Sequence, residues 1–115
     1  MVANEIEALA LKALDCLSQR SVITAQNIAN AGTRGYRPLQ VTFEEQLRLA
    51  ASSGADAVDN VSPAIRPAVL PPGTSDMRLD LELATAAGTA GRYAALVEIL
   101  NRHMQLGSLA LSEMR

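Results

Sequence analysis

Aromatic residues are nearly missing from this chain. Tyr36, Phe43 and Tyr93 are the only three in 115 residues, and there is no Trp. A globular core of this size normally uses several large rings, because each buries far more area than an alanine. The apolar content, 49% of the chain, is dominated by twenty Ala and sixteen Leu. Those residues favour helix and close helix–helix approach. A β-sandwich, a barrel and a Rossmann unit are therefore disfavoured. The length allows one small domain, or two long helices with a segment between them.

Reactive side chains are as scarce. His103, Cys16 and Lys12 are each the sole residue of their type. A Cys–His or Ser–His pair would need His103 beside a nucleophile, and nothing in the neighbouring sequence provides one. A four-ligand zinc site of Cys and His cannot be assembled from one of each. The chain does not read as an enzyme, and no metal or cofactor is expected. Cys16 permits no internal disulfide. Nine Arg are scattered along the chain and the net charge is −2, which argues against a nucleic-acid partner, since phosphate neutralisation needs a clustered basic surface. No run approaches the roughly 18 consecutive apolar residues that a membrane span requires. The first eleven residues carry Glu5 and Glu7 and no basic side chain, the reverse of a secretory n-region. The expectation is the cytoplasm, or export by a route that reads no cleaved signal.

Hydrophobic spacing divides the chain into a long helix over residues 1–31, a punctuated middle over 32–79 and a second long helix over 80–115. In the first helix Asn4 is suited to cap the N-terminus, with Glu7 three residues on to complete a reciprocal cap. Val2, Ile6, Leu9, Ala13 and Cys16 follow a 4-3-4-3 seam, which weakens at Arg20, Ile23 and Asn27. Cys16 on that seam reads as a small buried apolar group. In the middle, Gly32, Gly35 and Pro38 mark a break. Thr42 with Glu45 predicts a capping box opening a short helix through Phe43, Leu47 and Ala50. Residues 54–76 hold Gly54, Pro63, Pro67, Pro71, Pro72 and Gly73 and are expected to be irregular. In the second helix Asp80 is the expected cap. Leu83, Ala86, Ala90, Tyr93, Val97, Leu100, Met104, Gly107, Leu111 and Met114 then form a heptad seam over more than four heptads. Leu96, Ile99, His103, Leu106 and Ala110 form a second stripe beside it. The fold class expected is all-α, with two long terminal helices paired as a coiled-coil-like hairpin. At about 1.5 Å per residue such helices are roughly 42–52 Å long, too long for one small chain to cover both stripes. Exposed stripes of this kind predict self-assembly or a helical partner.

The most informative stretch joins the first helix to the middle segment: Asn27, Ile28, Ala29, Asn30, then Thr33, Gly35, Tyr36 and Arg37. Asn27 and Asn30 share one face of the last helical turns. Their amides can bond backbone at the helix end or reach another chain. Gly35 supplies a backbone conformation that other residues resist, and Tyr36 offers a flat ring with a polar tip. This spaced pattern closely resembles the N-terminal signature of the flagellar rod and hook axial proteins. The resemblance extends to Phe43 and Leu47 after the signature. It extends also to Asp80, Glu82, Arg92, Tyr93, Ala95 and Leu96 in the second helix. It spans about residues 4–50 and 77–112 and leaves the Pro-rich middle unmatched. Thr89 departs from it, since members usually carry Asn or Gln near that position, and Gly88 and Gly91 add glycines that members lack.

The resemblance implies a structural subunit of the bacterial flagellar basal body, of the proximal-rod type. Distal members carry an added β-rich domain of well over 100 residues, for which 115 residues leave no room. It further implies helical assembly into a driveshaft that crosses the periplasm and transmits torque for motility. The partners implied are copies of itself, other proximal and distal rod subunits, and the adaptor joining rod to membrane ring. Export would follow the flagellar type III apparatus, without direct membrane insertion. Assembly contacts are expected at the signature and at Ile6, Leu9, Ala13, Leu83, Ala90, Tyr93, Val97, Leu100, Met104 and Leu111. The alternative is a cytoplasmic helical adaptor that binds a partner helix.

Overall fold

The structure, a computed structural model, describes residues 3–70 and 77–114, with side chains from Glu5 onward. The first helix, α1, runs Ala3–Ala29. It has no Gly or Pro to interrupt it, and it closes where Asn30 and Gly32 permit a turn. Asn4 therefore lies within the helix rather than ahead of it, and its side chain, like Val2, lies outside the described residues. A turn over 30–36, held by Thr33 N–H to Asn30 O (3.0 Å) and Tyr36 N–H to Thr33 O (3.2 Å), reverses the chain. Gly35 sits there at φ +78°, in the left-handed region, which side chains with a Cβ enter only at a cost.

The middle segment departs most from expectation. It contains a two-stranded antiparallel sheet, so the fold is not all-α. Strand β1, Leu39–Thr42, pairs with β2, Ala64–Pro67, with Val41 opposite Ile65. Two short helices lie between the strands: α2, Glu44–Ala51, and α3, Ala55–Asp59. The prolines that masked β2 in the sequence are compatible with it. Ala68 N–H donates to Pro38 O (2.9 Å). Hydrogen-bonded pairs alternate in an antiparallel ladder, so Gln40/Arg66 and Thr42/Ala64 come next. Pro67 then falls where its missing N–H would face away from β1. Residues 71–76, with Pro71, Pro72 and Gly73, lie outside the described residues. Thr42 ends β1 and forms no capping box. Phe43 takes the N-cap position of α2 without a side-chain cap bond, and the Glu45 carboxylate is engaged by Arg48 instead.

The last helix, α4, runs Leu79–Glu113. Asp80 is inside it and pairs with Arg78; the N-cap position falls to Arg78, with no side-chain bond. The two long helices pack together antiparallel. Asn27 meets Glu82 at one end and Glu7 meets His103 at the other. The buried core lies on one side of this pair: Cys16 and Leu17 of α1, Val41 of β1, Phe43, Leu47 of α2 and Val58 of α3. From α4 only Leu96 packs against that cluster. The described molecule measures 64 × 25 × 17 Å, with a radius of gyration of 17.7 Å. A compact chain of this length would have about 13 Å.

Candidate functional site

Asn27 is the centre of the signature. It is 1% exposed, and its amide satisfies all of its bonding capacity. Its Nδ2 donates to Leu39 O (2.8 Å) and to Glu82 Oε2 (3.1 Å). Its Oδ1 accepts from Leu39 N–H (3.0 Å) and from the Tyr36 hydroxyl (2.9 Å). The side chain thus pairs with the outward N–H and C=O of β1 as a further strand would, and it ties α1, β1, the turn and α4 at one point. Asn30 works locally: its Nδ2 donates to Gln26 O (2.8 Å) and its Oδ1 accepts from the Thr33 hydroxyl (3.0 Å). Of the two roles open to these amides, both make bonds within the chain. The signature positions Asn27, Ile28, Ala29, Asn30, Thr33, Gly35 and Tyr36 build a helix-to-strand corner.

A second polar tie, absent from the sequence expectations, closes the rest of the β1 edge. Arg20 was notable only as a break in the apolar seam. Its Nε and Nη2 donate to Val41 O (3.2 and 2.8 Å), its Nη1 and Nη2 reach both oxygens of Glu44 (2.8 and 2.7 Å), and its guanidinium lies 4.6 Å from the centre of the Phe43 ring. The bidentate bond from Arg20 holds the Glu44 carboxyl down to about 2, from an ordinary value of 4.5. Partial burial opposes that shift, and bonds from the Glu44 and Phe43 backbone assist it. Arg92 on α4 approaches the same carboxylate at 3.4 Å. Lys12 donates to Asp59 O (2.9 Å) at the end of α3. The sequence signal for Arg20 was available: a charge on a seam position requires a partner.

The helix-packing residues divide. Leu9 and Ala13 lie against the core cluster, and Ile6 is more than one-third exposed. On α4 the half-buried or buried residues are Glu82, Ala86, Thr89, Leu96, Val97, Leu100 and His103. The face turned to α1 therefore runs through Glu82, Ala86, Thr89, Leu96, Val97, Leu100 and His103. Ala86, Val97 and Leu100 of the heptad lie on this face, and its other members from Leu83 onward flank it. Apolar periodicity pointed to Ala86, Leu96, Val97, Leu100 and His103 and missed only Glu82 and Thr89, polar members that are satisfied by Asn27 and by Thr85 O (2.7 Å). Leu83, Ala90, Tyr93, Met104 and Leu111 remain exposed in the single chain, as do Leu81, Ile99, Leu106 and Leu109. Two open grooves border α4. One, of about 330 Å³, is lined by Leu17, Ser18, Ser21, Ala90, Tyr93 and Ala94. The other, of about 680 Å³, has Arg20, Gln40, Leu81, Thr85 and Arg92 on its walls.

Cys16 is fully buried, and that burial pushes its thiol up, away from the reactive thiolate. His103 is 3.7 Å from Glu7 with no nucleophile beside it. Among the described residues no group of His, Cys, Asp and Glu could hold a metal ion, and no helix is long and apolar enough to cross a membrane. Neither the models of known protein families nor the curated proteins give a match to this chain.

Proposed function

We propose that the chain is a structural subunit whose surface is completed by neighbouring copies and relatives, an axial protein of the bacterial flagellum. Within that class the spacing of the signature fits the proximal rod protein FlgB. The observation that carries the reading is the state of α4. Along 35 residues it leaves Leu83, Tyr93, Met104 and Leu111 uncovered on one flank, an aligned apolar stripe of the kind that marks an interaction surface. The role is mechanical. Interlocked helix faces transmit torque along the rod without turnover or cofactor, and export uses the type III route.

The alternative is an adaptor for one foreign helix, favoured by the shallow groove of Leu17, Ser18, Ser21, Ala90, Tyr93 and Ala94. Small residues on both walls would let a backbone approach closely. Sedimentation of the purified chain from micromolar to millimolar concentration separates the two. A rod subunit forms large species as concentration rises, and Met104→Asp with Leu111→Asp abolishes them and motility together. A chain that stays monomeric throughout, or a double variant that restores swimming to a strain lacking the gene, would sink the rod reading.

A further inference from the structure

Eight arginines fall within the described residues, and five of them are paired. Arg20 and Arg92 contact Glu44, Arg48 contacts Glu45, Arg78 contacts Asp80 and Arg102 contacts Glu98. The three without a carboxylate partner are Arg34, Arg37 and Arg66, and all three sit at the same end of the molecule. Arg34 and Arg37 are exposed in the turn between α1 and β1, and Arg66 is exposed on β2 opposite Gln40. The far end of the helix pair, about 40 Å away along α1, has the other sign. Glu5 and Glu7 stand in the first turns of α1, and Glu113 in the last turn of α4. Among the described residues the elongated molecule thus carries opposite charge at its two ends, with Glu82, bonded to Asn27, an acid near the basic corner.

On the self-assembly reading above, we infer that the Arg34, Arg37 and Arg66 corner docks onto the acidic end of a second copy, at Glu7 and Glu113. A two-fold dimer through either end would set like charges against each other. A contact between unlike ends is head-to-tail, and it propagates instead of closing. Complementary charge of this kind fixes register and partner choice more than it adds affinity. The apolar flank of α4 supplies the adhesion, and the charged ends set where one copy stops along the next.

Charge reversal and its complement test this in the full chain by analytical ultracentrifugation, with circular dichroism as the folding check. Arg34→Glu with Arg37→Glu should lose large species, and so should Glu7→Arg with Glu113→Arg. An equimolar mixture of the two should regain them. Glu113→Arg alone, which disturbs no contact within the chain, should give a partial loss. The apparent dissociation constant of the wild type should weaken about tenfold between about 0.05 and 0.5 M salt. Unchanged assembly of the Arg34/Arg37 variant, or a mixture that fails to recover, would overturn the head-to-tail contact. A wild-type chain that never associates fails differently, by removing the self-assembly reading itself.

Discussion

Asn27 and Arg20 hold one strand edge between them. Leu39 has both its outward N–H and its C=O bonded to the Asn27 amide, and Val41 O receives the Arg20 guanidinium. Stripping Asn27 back to Ala would leave the Leu39 amide, the Tyr36 hydroxyl and Glu82 without their partner. Buried groups left unpaired in this way cost about 1–3 kcal/mol, so Asn27→Ala should lower unfolding free energy by about 2–4 kcal/mol in urea titration. A loss under about 0.5 kcal/mol, typical of a surface site, would show that the corner is not held by this amide. Glu44 gives a pH signature. Its carboxyl is depressed in the folded chain, so its contribution is complete above 4.5 and fades as pH falls toward about 2. The side chain is 52% exposed, and solvent screening reduces the contribution to about 1 kcal/mol. Wild type should therefore lose about that much more stability than Glu44→Gln between pH 5 and 2. Parallel curves for the two proteins would refute the coupling.

At the scale of elements, α4 stands apart from the rest. The core is built from α1, β1, α2 and α3, and α4 adds Leu96 at its edge together with polar ties at Glu82, Arg92 and His103. Its last ten residues, 104–113, are all exposed. Amide exchange in the dilute monomer should therefore be fast over residues 104–113 and slowest around Cys16 and Leu17, where α1 backs the core. On assembly the α4 segment should become protected. Protection of residues 104–113 in the monomer equal to that at Cys16 would contradict the view that this helix waits for a neighbour. The same logic makes Met104→Asp and Leu111→Asp nearly silent in the isolated chain, within about 0.5 kcal/mol. Chemical unfolding of each variant against wild type reads that directly.

For the whole molecule, shape carries the argument. A helix of 35 residues is about 52 Å long, and no folding of the remaining residues can wrap it. X-ray scattering from the dilute chain should give a radius of gyration near the 17.7 Å of the Cα trace, increased slightly by hydration. A value near about 13 Å, expected for a compact chain of this length, would mean that α4 folds back on the core. Both the proposed axial role and the head-to-tail contact depend on the elongated form.

Periodicity and composition were enough to place both long helices, the corner at Gly35 and the buried Cys16, because each rests on local chemistry: helix propensity, a left-handed turn residue, an apolar position facing inward. The surplus of exposed apolar surface was also legible, since helix length alone limits what one chain can cover. Strand β2 was not, because Ala64, Ile65, Arg66 and Pro67 form a strand only by pairing with residues some 25 positions earlier. The roles of Arg20, Glu44 and Glu82 were hidden for the same reason, while Thr89 is satisfied within α4 by Thr85 O. A polar residue in a helix face looks like a flaw until the tertiary fold brings its partner within about 3 Å. Local sequence therefore set the elements, and long-range pairing of polar groups decided how they are joined and which face of α4 meets α1.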